Sequence, residues 1–422
     1  MKRKANIKSF ALLIILVIGL IFRLRQWNDY MIFPDSYHYL STSQDIFLCG
    51  KPLYCTIVNL FENLFFDAAF TIRILSLICS LVSIILIYYF FENKKSGLGL
   101  ISALLLALSF IVISWTNFIL PDLLAITLFL VFLTIRSRYI ATIFLFFAAL
   151  TRPEYLMLLP LAYLLYPKDK KIQILLFSYL MVGVIYYVNT YNFPMQILTI
   201  KSSPFLIVLN IIKYEPLLIF SAIAGLVTLR HKINKYETFF IFQIIIFLAI
   251  FAWVNPSNWR YGIHIIIPLI YFGSHFISDT ILNIKRGKRA YDYLATGIII
   301  LFILQIYISY TGIIKNVPRS NYESDLLRKS QDIARFENIN VGRYATIFKE
   351  AVNYELGEEG VSPLTDKLQK GDLLIYDTVL SRKGYKVKNI QTRELANFTL
   401  NQIFYIGQEK LYQSSIVLYL VE

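Results

Sequence analysis

Residues 139–166 read YIATIFLFFAALTRPEYLMLLPLAYLLY, two apolar runs that meet at Arg152-Pro153. Each run is shorter than the roughly 20 residues that a helix needs to span a bilayer. A single fused span would place Arg152 and Glu154 near the bilayer centre, at a cost of at least about 2.5 kcal/mol for the arginine alone. The stretch therefore predicts two short helices that meet at Arg152, and an outer face that dips into the membrane as a cavity.

Similar apolar runs, about 15 to 25 residues long, recur along the chain and are flanked by Lys or Arg. The chain is 57% hydrophobic and only 16% charged, whereas about a quarter of the residues in a soluble domain are charged. Residues 1–312 are therefore predicted to form an all-α polytopic membrane domain with about eleven transmembrane helices. The predicted spans are 9–27, 67–91, 97–115, 119–136, 139–151, 153–166, 172–191, 214–230, 236–254, 261–279 and 292–312.

The net charge of +14 is explained by short basic clusters that lie between the apolar runs. These clusters alternate with loops poor in Lys and Arg, as the positive-inside rule describes, so a nucleic-acid partner is not needed to explain the charge. The pattern predicts a multi-pass protein of the plasma membrane with a cytoplasmic amino terminus. The clusters are the amino terminus, Lys94/Lys95, Arg136/Arg138, Lys168/Lys170/Lys171, Arg230/Lys232/Lys235 and Lys285/Arg286/Lys288/Arg289.

The first apolar run, Phe10 to Phe22, follows a basic amino terminus, as in a secretory signal peptide. No small-x-small cleavage site follows it, and Arg23, Arg25 and Trp27 are typical of an interfacial anchor. We therefore expect an uncleaved first span.

Two of the predicted outer loops are long. Residues 28–66 have apolar side chains at helical spacing, which predicts amphipathic helices along the membrane surface, and residues 192–213 have the composition of a re-entrant or interfacial segment. Cys49 and Cys55 both fall in the first of these loops. They either form a disulfide in an oxidising compartment or remain two free thiols.

After the last span the composition changes, and residues 313–422 are charged and similar to those of a soluble protein. Segment 323–337 has helical periodicity, and three later segments have the pattern of strands. We expect a small extracytoplasmic α/β domain, with strands at 372–376, 402–406 and 415–421.

Acidic, basic and other polar residues from separate loops collect on the outer side of the predicted topology. Carboxylates can accept a proton from an acceptor hydroxyl, and arginines can bind a phosphate bidentately and stabilise its charge as a leaving group. Apolar walls would admit a lipid tail, so the set indicates transfer of a sugar from a lipid-linked phosphate. The residues are Asp35 with Tyr37 and His38, Asp122, Arg152 with Glu154, and Arg260 with Tyr261 and His264.

Each of these residues also has a simpler explanation. Asp122 follows Pro121 and would complement a helix amino terminus, while Arg152 and Arg260 would extend from helix ends towards water. His38 and His264 would be hydrogen-bonded interfacial groups, and Asp35 would be an ordinary loop residue.

The order of these short motifs resembles the GT-C membrane glycosyltransferases, in particular protein O-mannosyltransferases and lipid A aminoarabinose transferases. The motifs are an Asp after the first span, "Leu-Pro-Asp" ending at Asp122, "Thr-Arg-Pro-Glu" ending at Glu154, and "Arg-Tyr" at Arg260-Tyr261. The resemblance covers about residues 1–280. It implies a polyprenyl-phosphate-linked sugar as donor and inversion of the anomeric centre by direct displacement.

The resemblance also implies a role for each site residue. Asp35 would be the catalytic base and Asp122 a second essential acid that orients the acceptor or a ligand. Arg152, Arg260 and His264 would bind the lipid phosphate; Tyr37, His38, Glu154 and Tyr261 would contact the acceptor or a ligand. Many members have Asp-Glu where this chain has Asp35-Ser36. No cofactor is therefore certain, and a divalent metal on Asp35 and Asp122 is the alternative.

Two other functions fit a membrane protein with such residues. A non-catalytic transporter or flippase for lipid-linked sugars would carry polar groups to the midplane in interrupted helices, whereas the candidates here lie on the outer side. A polysaccharide ligase or polymerase would use a longer lipid-linked donor. The acceptor of the expected transferase is a glycan, a lipid or a protein.

Overall fold

The computed structural model describes two compact units, a helical unit that ends at Asn316 and a second unit that contains the strands. The protein is mostly helical. The residues described are 2–25, 50–64, 68–116, 120–190, 204–229, 234–254, 259–285, 290–316, 343–346, 361–363, 372–377, 400–407 and 415–421.

The helical unit contains α-helices of very different length, with short 3-10 segments between some of them. The 3-10 segments are Pro153–Met157, Ala162–Leu164 and Trp259–Ile265. The α-helices are α1 (Lys2–Leu24), α2 (Pro52–Leu64), α3 (Ala68–Glu92), α4 (Leu98–Ala107), α5 (Phe110–Trp115), α6 (Asp122–Thr134), α7 (Arg138–Thr151), α8 (Leu158–Leu161), α9 (Lys170–Thr190), α10 (Pro204–Tyr214), α11 (Pro216–Leu229), α12 (Lys235–Val254), α13 (Ile266–Lys285) and α14 (Ala290–Asn316).

Among the described residues, five helical stretches are long and apolar enough to cross a membrane. They differ in how much of their surface is covered: 72% of the window in Gly262–Ile284 is buried, against 11% in Tyr291–Thr311. Apolar helices exposed to this degree are compatible with a membrane protein, since lipid would cover them. The five stretches are Asn6–Leu24, Phe70–Glu92, Lys170–Asn189, Gly262–Ile284 and Tyr291–Thr311.

The break predicted at Arg152 is present. Helix α7 ends at Thr151, Arg152 adopts an extended backbone conformation, and Pro153 opens the following 3-10 segment. Proline favours the first position of a helix and an extended residue before it, which places the break here. The second predicted helix, 153–166, is instead an irregular succession of 3-10, α and 3-10 turns.

The predicted span 97–115 is not continuous. Helix α4 ends at Ala107, and α5 begins after Ser109, whose hydroxyl accepts a hydrogen bond from the Val112 backbone N–H (3.3 Å). The buried Glu215 carboxylate accepts hydrogen bonds from Ser109 Oγ (2.6 Å) and the Ile111 N–H (2.8 Å). These bonds satisfy donors that the start of a helix leaves unpaired, so a distant residue stabilises the interruption.

Arg23 is not the interfacial anchor that the sequence predicted. It is fully buried between helices, and its Nε atom donates to Ser80 Oγ (2.6 Å) on α3. Its Nη1 atom donates to the carbonyl oxygens of Gly19 (2.9 Å) and Ala107 (3.3 Å). Ala107 is the last residue of α4, and such a carbonyl lacks a partner within its own helix. The guanidinium therefore provides a hydrogen bond to a carbonyl at the end of the interrupted helix instead of reaching the membrane surface.

Basic clusters that are far apart in sequence meet at one end of the helical unit. We call this end of the helical unit the basic end and define it by Lys8, Lys94, Lys95, Arg136, Arg138, Lys168 and Lys235. Arg25 and the residues of the predicted outer loops do not belong to it. The contacts that join it are ion pairs of Lys8 with Glu92, of Lys95 with Asp279 (2.9 Å) and of Arg138 with Asp169 (3.2 Å), and a hydrogen bond from Lys235 Nζ to the Leu165 carbonyl (3.1 Å).

Helix α2 lies in the first predicted outer loop and is amphipathic. Tyr54 and Val58 are buried, whereas Leu60 and Leu64 on another face are exposed. Cys55, on the buried face, is disulfide-bonded, which favours the disulfide over the free thiols; Cys49 lies outside the described residues. Helix α10 occupies the end of the second long loop.

The second unit contains a five-stranded mixed sheet. The strands are β1 (Arg343–Thr346), β2 (Val361–Pro363), β3 (Asp372–Asp377), β4 (Leu400–Gly407) and β5 (Ser415–Val421). Their order in the sheet is β2-β1-β3-β5-β4. Strand β1 pairs with β2 and β3 in parallel, while β5 pairs with β3 and β4 in antiparallel fashion. Strands β3 to β5 overlap the three predicted strands, whereas the predicted helix 323–337 lies outside the described residues.

Candidate functional site

Four of the predicted site residues, Asp122, Arg152, Glu154 and His264, come together at the end of the helical unit opposite the basic end. Asp122 is the first residue of α6, Arg152 follows α7, and His264 lies in the 3-10 segment Trp259–Ile265. Helices α6 and α7 are joined by a short turn near Arg136 at the basic end, so their far ends lie side by side. The third segment contributes from more than a hundred residues later in the chain.

The centre of the cluster is a buried ion pair. Arg152 Nη2 donates to Asp122 Oδ1 at 2.6 Å, and only 4% of the arginine side chain and 1% of the aspartate side chain are exposed. Removal from water makes such a charge-assisted bond strong but also costs desolvation of both charges. Because removing one partner would leave the other charge buried alone, each residue depends on the other.

His264 completes the cluster through both ring nitrogens. Its Nε2 atom lies 3.2 Å from Asp122 Oδ1, and its Nδ1 atom lies 3.2 Å from the Tyr155 hydroxyl. A carboxylate can only accept, so a neutral ring that donates from Nε2 and accepts from Tyr155 at Nδ1 satisfies both contacts. Gln243 Nε2 donates to the His264 carbonyl at 3.0 Å, and Phe247 stacks on the ring. The histidine is therefore held in one orientation.

Glu154 and Lys51 extend the cluster on the side of Arg152. The Glu154 Oε1 atom lies 3.9 Å from Arg152 Nη1, and Glu154 is 17% exposed, more than the central pair. Its Oε2 atom has no hydrogen-bond partner among the described residues. The charge of the buried Lys51 also acts on Glu154. A second buried cation, Lys51, therefore contributes to the charged surroundings of Glu154.

Lys51 was not among the residues predicted from the sequence to form the site. A signal for it exists, because it is the only Lys or Arg in the loop 28–66 and it directly precedes helix α2. Its burial depends on the packing of α2 against α7. These helices are far apart in the sequence, so the residues around Lys51 do not predict the burial.

The contacts contradict the simpler explanation of Arg152 and agree with those of Asp122 and His264. Arg152 does not extend towards water, because its guanidinium is buried and pairs with Asp122. Asp122 does stand at a helix amino terminus, as its simpler explanation requires, but its carboxylate also contacts Arg152 and His264. His264 is hydrogen-bonded, as its own simpler explanation stated.

Five predicted site residues are not described at the level of side chains. Arg260 and Tyr261 lie in the 3-10 segment Trp259–Ile265, next to His264. Asp35, Tyr37 and His38 lie outside the described residues.

A second buried polar cluster, centred on Glu215, was not predicted from the sequence either. Glu215 is fully buried, and its Oε2 atom accepts a hydrogen bond from Gln305 Nε2 (3.0 Å) on α14. Its Oε1 atom accepts from Ser109 and the Ile111 N–H at the interruption between α4 and α5. A signal for Glu215 is its position directly before Pro216, which opens a helix; Asp122 likewise stands next to a proline at a helix start, but follows it.

The described residues do not form a recognisable metal site. No group of three or more His, Cys, Asp or Glu side chains within them could hold a metal ion. Asp122, one of the two predicted ligands, directs Oδ1 at two nitrogen donors, and the other, Asp35, lies outside this part of the chain.

The sequence matches no model of a known protein family. Comparison with curated proteins likewise finds no matching sequence.

Proposed function

We propose that this protein is an integral membrane glycosyltransferase that moves a sugar from a polyprenyl-phosphate donor to an acceptor hydroxyl or amine. The observation that carries the proposal is the buried cluster of Asp122, Arg152 and His264, which is assembled from three segments at the end opposite the basic end. Buried carboxylate, guanidinium and imidazole groups at one point are costly for stability, which favours a functional reason for them.

The proposed topology retains about eleven spans, a cytoplasmic amino terminus and an extracytoplasmic α/β domain at the carboxyl end. The basic end supports a cytoplasmic location for that end of the bundle by the positive-inside rule. The disulfide-bonded Cys55 supports an extracytoplasmic location for the loop 28–66, because disulfides persist in oxidising compartments. The cluster would then face the outside of the cell.

The length of two helices supports a site within the depth of the membrane. Helix α6 has 13 residues and α7 has 14, so each is about 20 Å long at about 1.5 Å per residue. The hydrocarbon core is about 30 Å thick. If the end of α6 and the start of α7 lie at the cytoplasmic surface, Asp122 and Arg152 lie about 10 Å below the outer boundary of the core. A lipid-linked phosphate could reach this depth from the outer leaflet.

The proposed reaction is a direct displacement. The acceptor oxygen or nitrogen attacks the anomeric carbon, its proton passes to the Asp35 carboxylate, and the bond between that carbon and the phosphate oxygen breaks. The electron pair of this bond leaves with the polyprenyl phosphate, so the anomeric configuration inverts. Cationic groups near the phosphate, for which Arg152, Arg260 and Lys51 are the candidates, would stabilise the leaving charge. His264 and Asp122 would hold Arg152 in position.

A carrier for lipid-linked sugars is the second candidate function. The observation that favours it is the interrupted helix at Ser109, stabilised by the buried Glu215 and Gln305, because transporters bind substrates at interrupted helices. Both oxygens of the Glu215 carboxylate accept hydrogen bonds from backbone or side-chain donors, which also suits a structural brace.

Release of free polyprenyl phosphate distinguishes the two candidates. We expect purified full-length protein in nanodiscs to release it from at least one member of a panel of polyprenyl-phosphate sugars when an extract of envelope acceptors is present. The measurement is chromatography of the lipid fraction over time. A carrier would bind or move the intact lipid-linked sugar without cleaving it, and that result would contradict the transferase.

Lys51 provides a test of the donor site. Replacing Lys51 with Gln should raise the dissociation constant of the polyprenyl-phosphate sugar about tenfold, because a hydrogen bond to a charged group is lost. The affinity can be measured by titration in detergent. Lys171→Gln removes the same charge from an exposed position at the other end of α6 and α7 and should leave donor affinity unchanged. Equal affinity in both variants would remove Lys51 from the donor site.

A further inference from the structure

A cavity of about 640 Å³ opens at the basic end of the helical unit, at the far ends of α6 and α7 from Asp122. Its walls come from the turn between these helices, from Leu165 to Asp169, and from the start of α12. The volume is in the range of small-molecule sites. The charged residues that line it are Lys94, Arg136, Arg138, Lys168, Lys235 and Asp169.

The charges of this cavity do not balance. Five cations face one carboxylate, and that carboxylate, Asp169, is paired with Arg138 at 3.2 Å. Lys94 lies over the Tyr236 ring at 3.2 Å from its centroid. Within the described part of the chain, Arg136 and Lys168 have no carboxylate partner. Four positive charges therefore remain uncompensated around one concave space, which would concentrate an anion.

The composition of the walls indicates the class of anion. Arginine and lysine side chains together suit a phosphate, which accepts several charge-assisted hydrogen bonds at once. The same cavity is lined by apolar side chains, including Phe90, Phe132 and Leu165. A small hydrophilic anion would leave this apolar wall unused. A phosphate that carries a hydrocarbon chain would use both.

We propose that this cavity binds the phosphate head group of an anionic membrane lipid. Basic pockets between membrane helices on the cytoplasmic side favour such head groups. The site is separate from the Asp122 cluster, and the proposal does not depend on sugar transfer. Its ligand would contact the turn that joins α6 and α7, so bound lipid would stabilise the two helices that carry Asp122 and Arg152.

The test compares purified full-length protein in nanodiscs of phosphatidylcholine alone and with phosphatidylglycerol added. We expect phosphatidylglycerol to raise the unfolding temperature, because a ligand that binds the folded state stabilises it, and to remain bound in native mass spectrometry. The Arg136→Gln/Lys168→Gln double variant should lower the affinity by at least about tenfold, since each basic residue near an anionic head group contributes appreciably. Both side chains are exposed, so the variant should fold.

The matched control is the Lys170→Gln/Lys171→Gln double variant. It removes two charges from exposed positions nearby that do not line the cavity, and it should bind phosphatidylglycerol as wild type does. Equal loss of affinity in both double variants would overturn the proposal, as would equal stabilities of wild type in the two lipid compositions. Two results together would assign the site to a soluble phosphate and overturn the lipid assignment. Inorganic phosphate would stabilise the protein in nanodiscs of phosphatidylcholine alone, and it would displace phosphatidylglycerol from the protein in the mixed nanodiscs.

Discussion

Replacing Asp35 with Asn is expected to abolish release of polyprenyl phosphate while leaving the protein inserted and folded. The carboxamide has nearly the shape of the carboxylate but cannot accept the proton of the acceptor. Loss of a general base lowers the rate by about 10²- to 10⁴-fold. The measurement is release of polyprenyl phosphate from the active donor in nanodiscs. Donor affinity should change little, because the proposed role of Asp35 lies in proton transfer.

Asp45 provides the matched control for this variant. It is another acidic residue of the loop 28–66, and Asp45→Asn should retain activity close to that of wild type. Size-exclusion profiles and unfolding temperatures of both variants would establish that they fold. An Asp35→Asn protein that released polyprenyl phosphate at the wild-type rate would remove Asp35 as the base.

Replacing Arg152 with Met is expected to destabilise the protein by about 3–5 kcal/mol, because the Asp122 carboxylate would be left buried beside His264 without its arginine. The same variant should lose sugar transfer. The stability can be measured by thermal or denaturant unfolding of detergent-purified protein. Arg138→Gln is the comparison, since Arg138 pairs with Asp169 at 3.2 Å but is 61% exposed, and loss of an exposed pair costs less than about 1 kcal/mol.

The double variant Asp122→Leu/Arg152→Met separates structure from function. Replacing both members of a buried ion pair with apolar residues is often neutral for stability, so we expect the double variant to recover much of what Arg152→Met loses. Activity should not recover, because the guanidinium proposed to stabilise the leaving phosphate and the carboxylate proposed to hold it in position are gone. A double variant that is both stable and active would assign the pair a purely structural role.

Several features of the helical unit follow from local sequence. The helix break at Arg152-Pro153 was predicted because proline restricts its own backbone and that of the preceding residue. The shortness of the two runs around it is visible in the hydrophobicity pattern. The start of α6 at Asp122, directly after Pro121, follows from the same rule. In each case the cause lies within a few residues.

Other features could not be predicted because their causes lie far away in sequence. The interruption between α4 and α5 lies in an apolar run without Gly or Pro at the break, and it is stabilised by Glu215, about a hundred residues later. Arg23 was predicted at the surface because it ends an apolar run. Its guanidinium instead satisfies the Ala107 carbonyl at that same interruption.

The sequence by itself determined that the chain forms many apolar helices, where they break at proline, and that Asp122, Arg152 and His264 belong to one side of the bundle. Hydrophobic periodicity, charge alternation and proline act locally, so these features can be read without a structure. Only the tertiary structure decided that Arg152 binds Asp122, that His264 bridges to Tyr155 and that Lys51 is buried near Glu154. Hydrogen bonds are short and directional, and whether two distant groups meet within 3 Å depends on how all the helices between them pack.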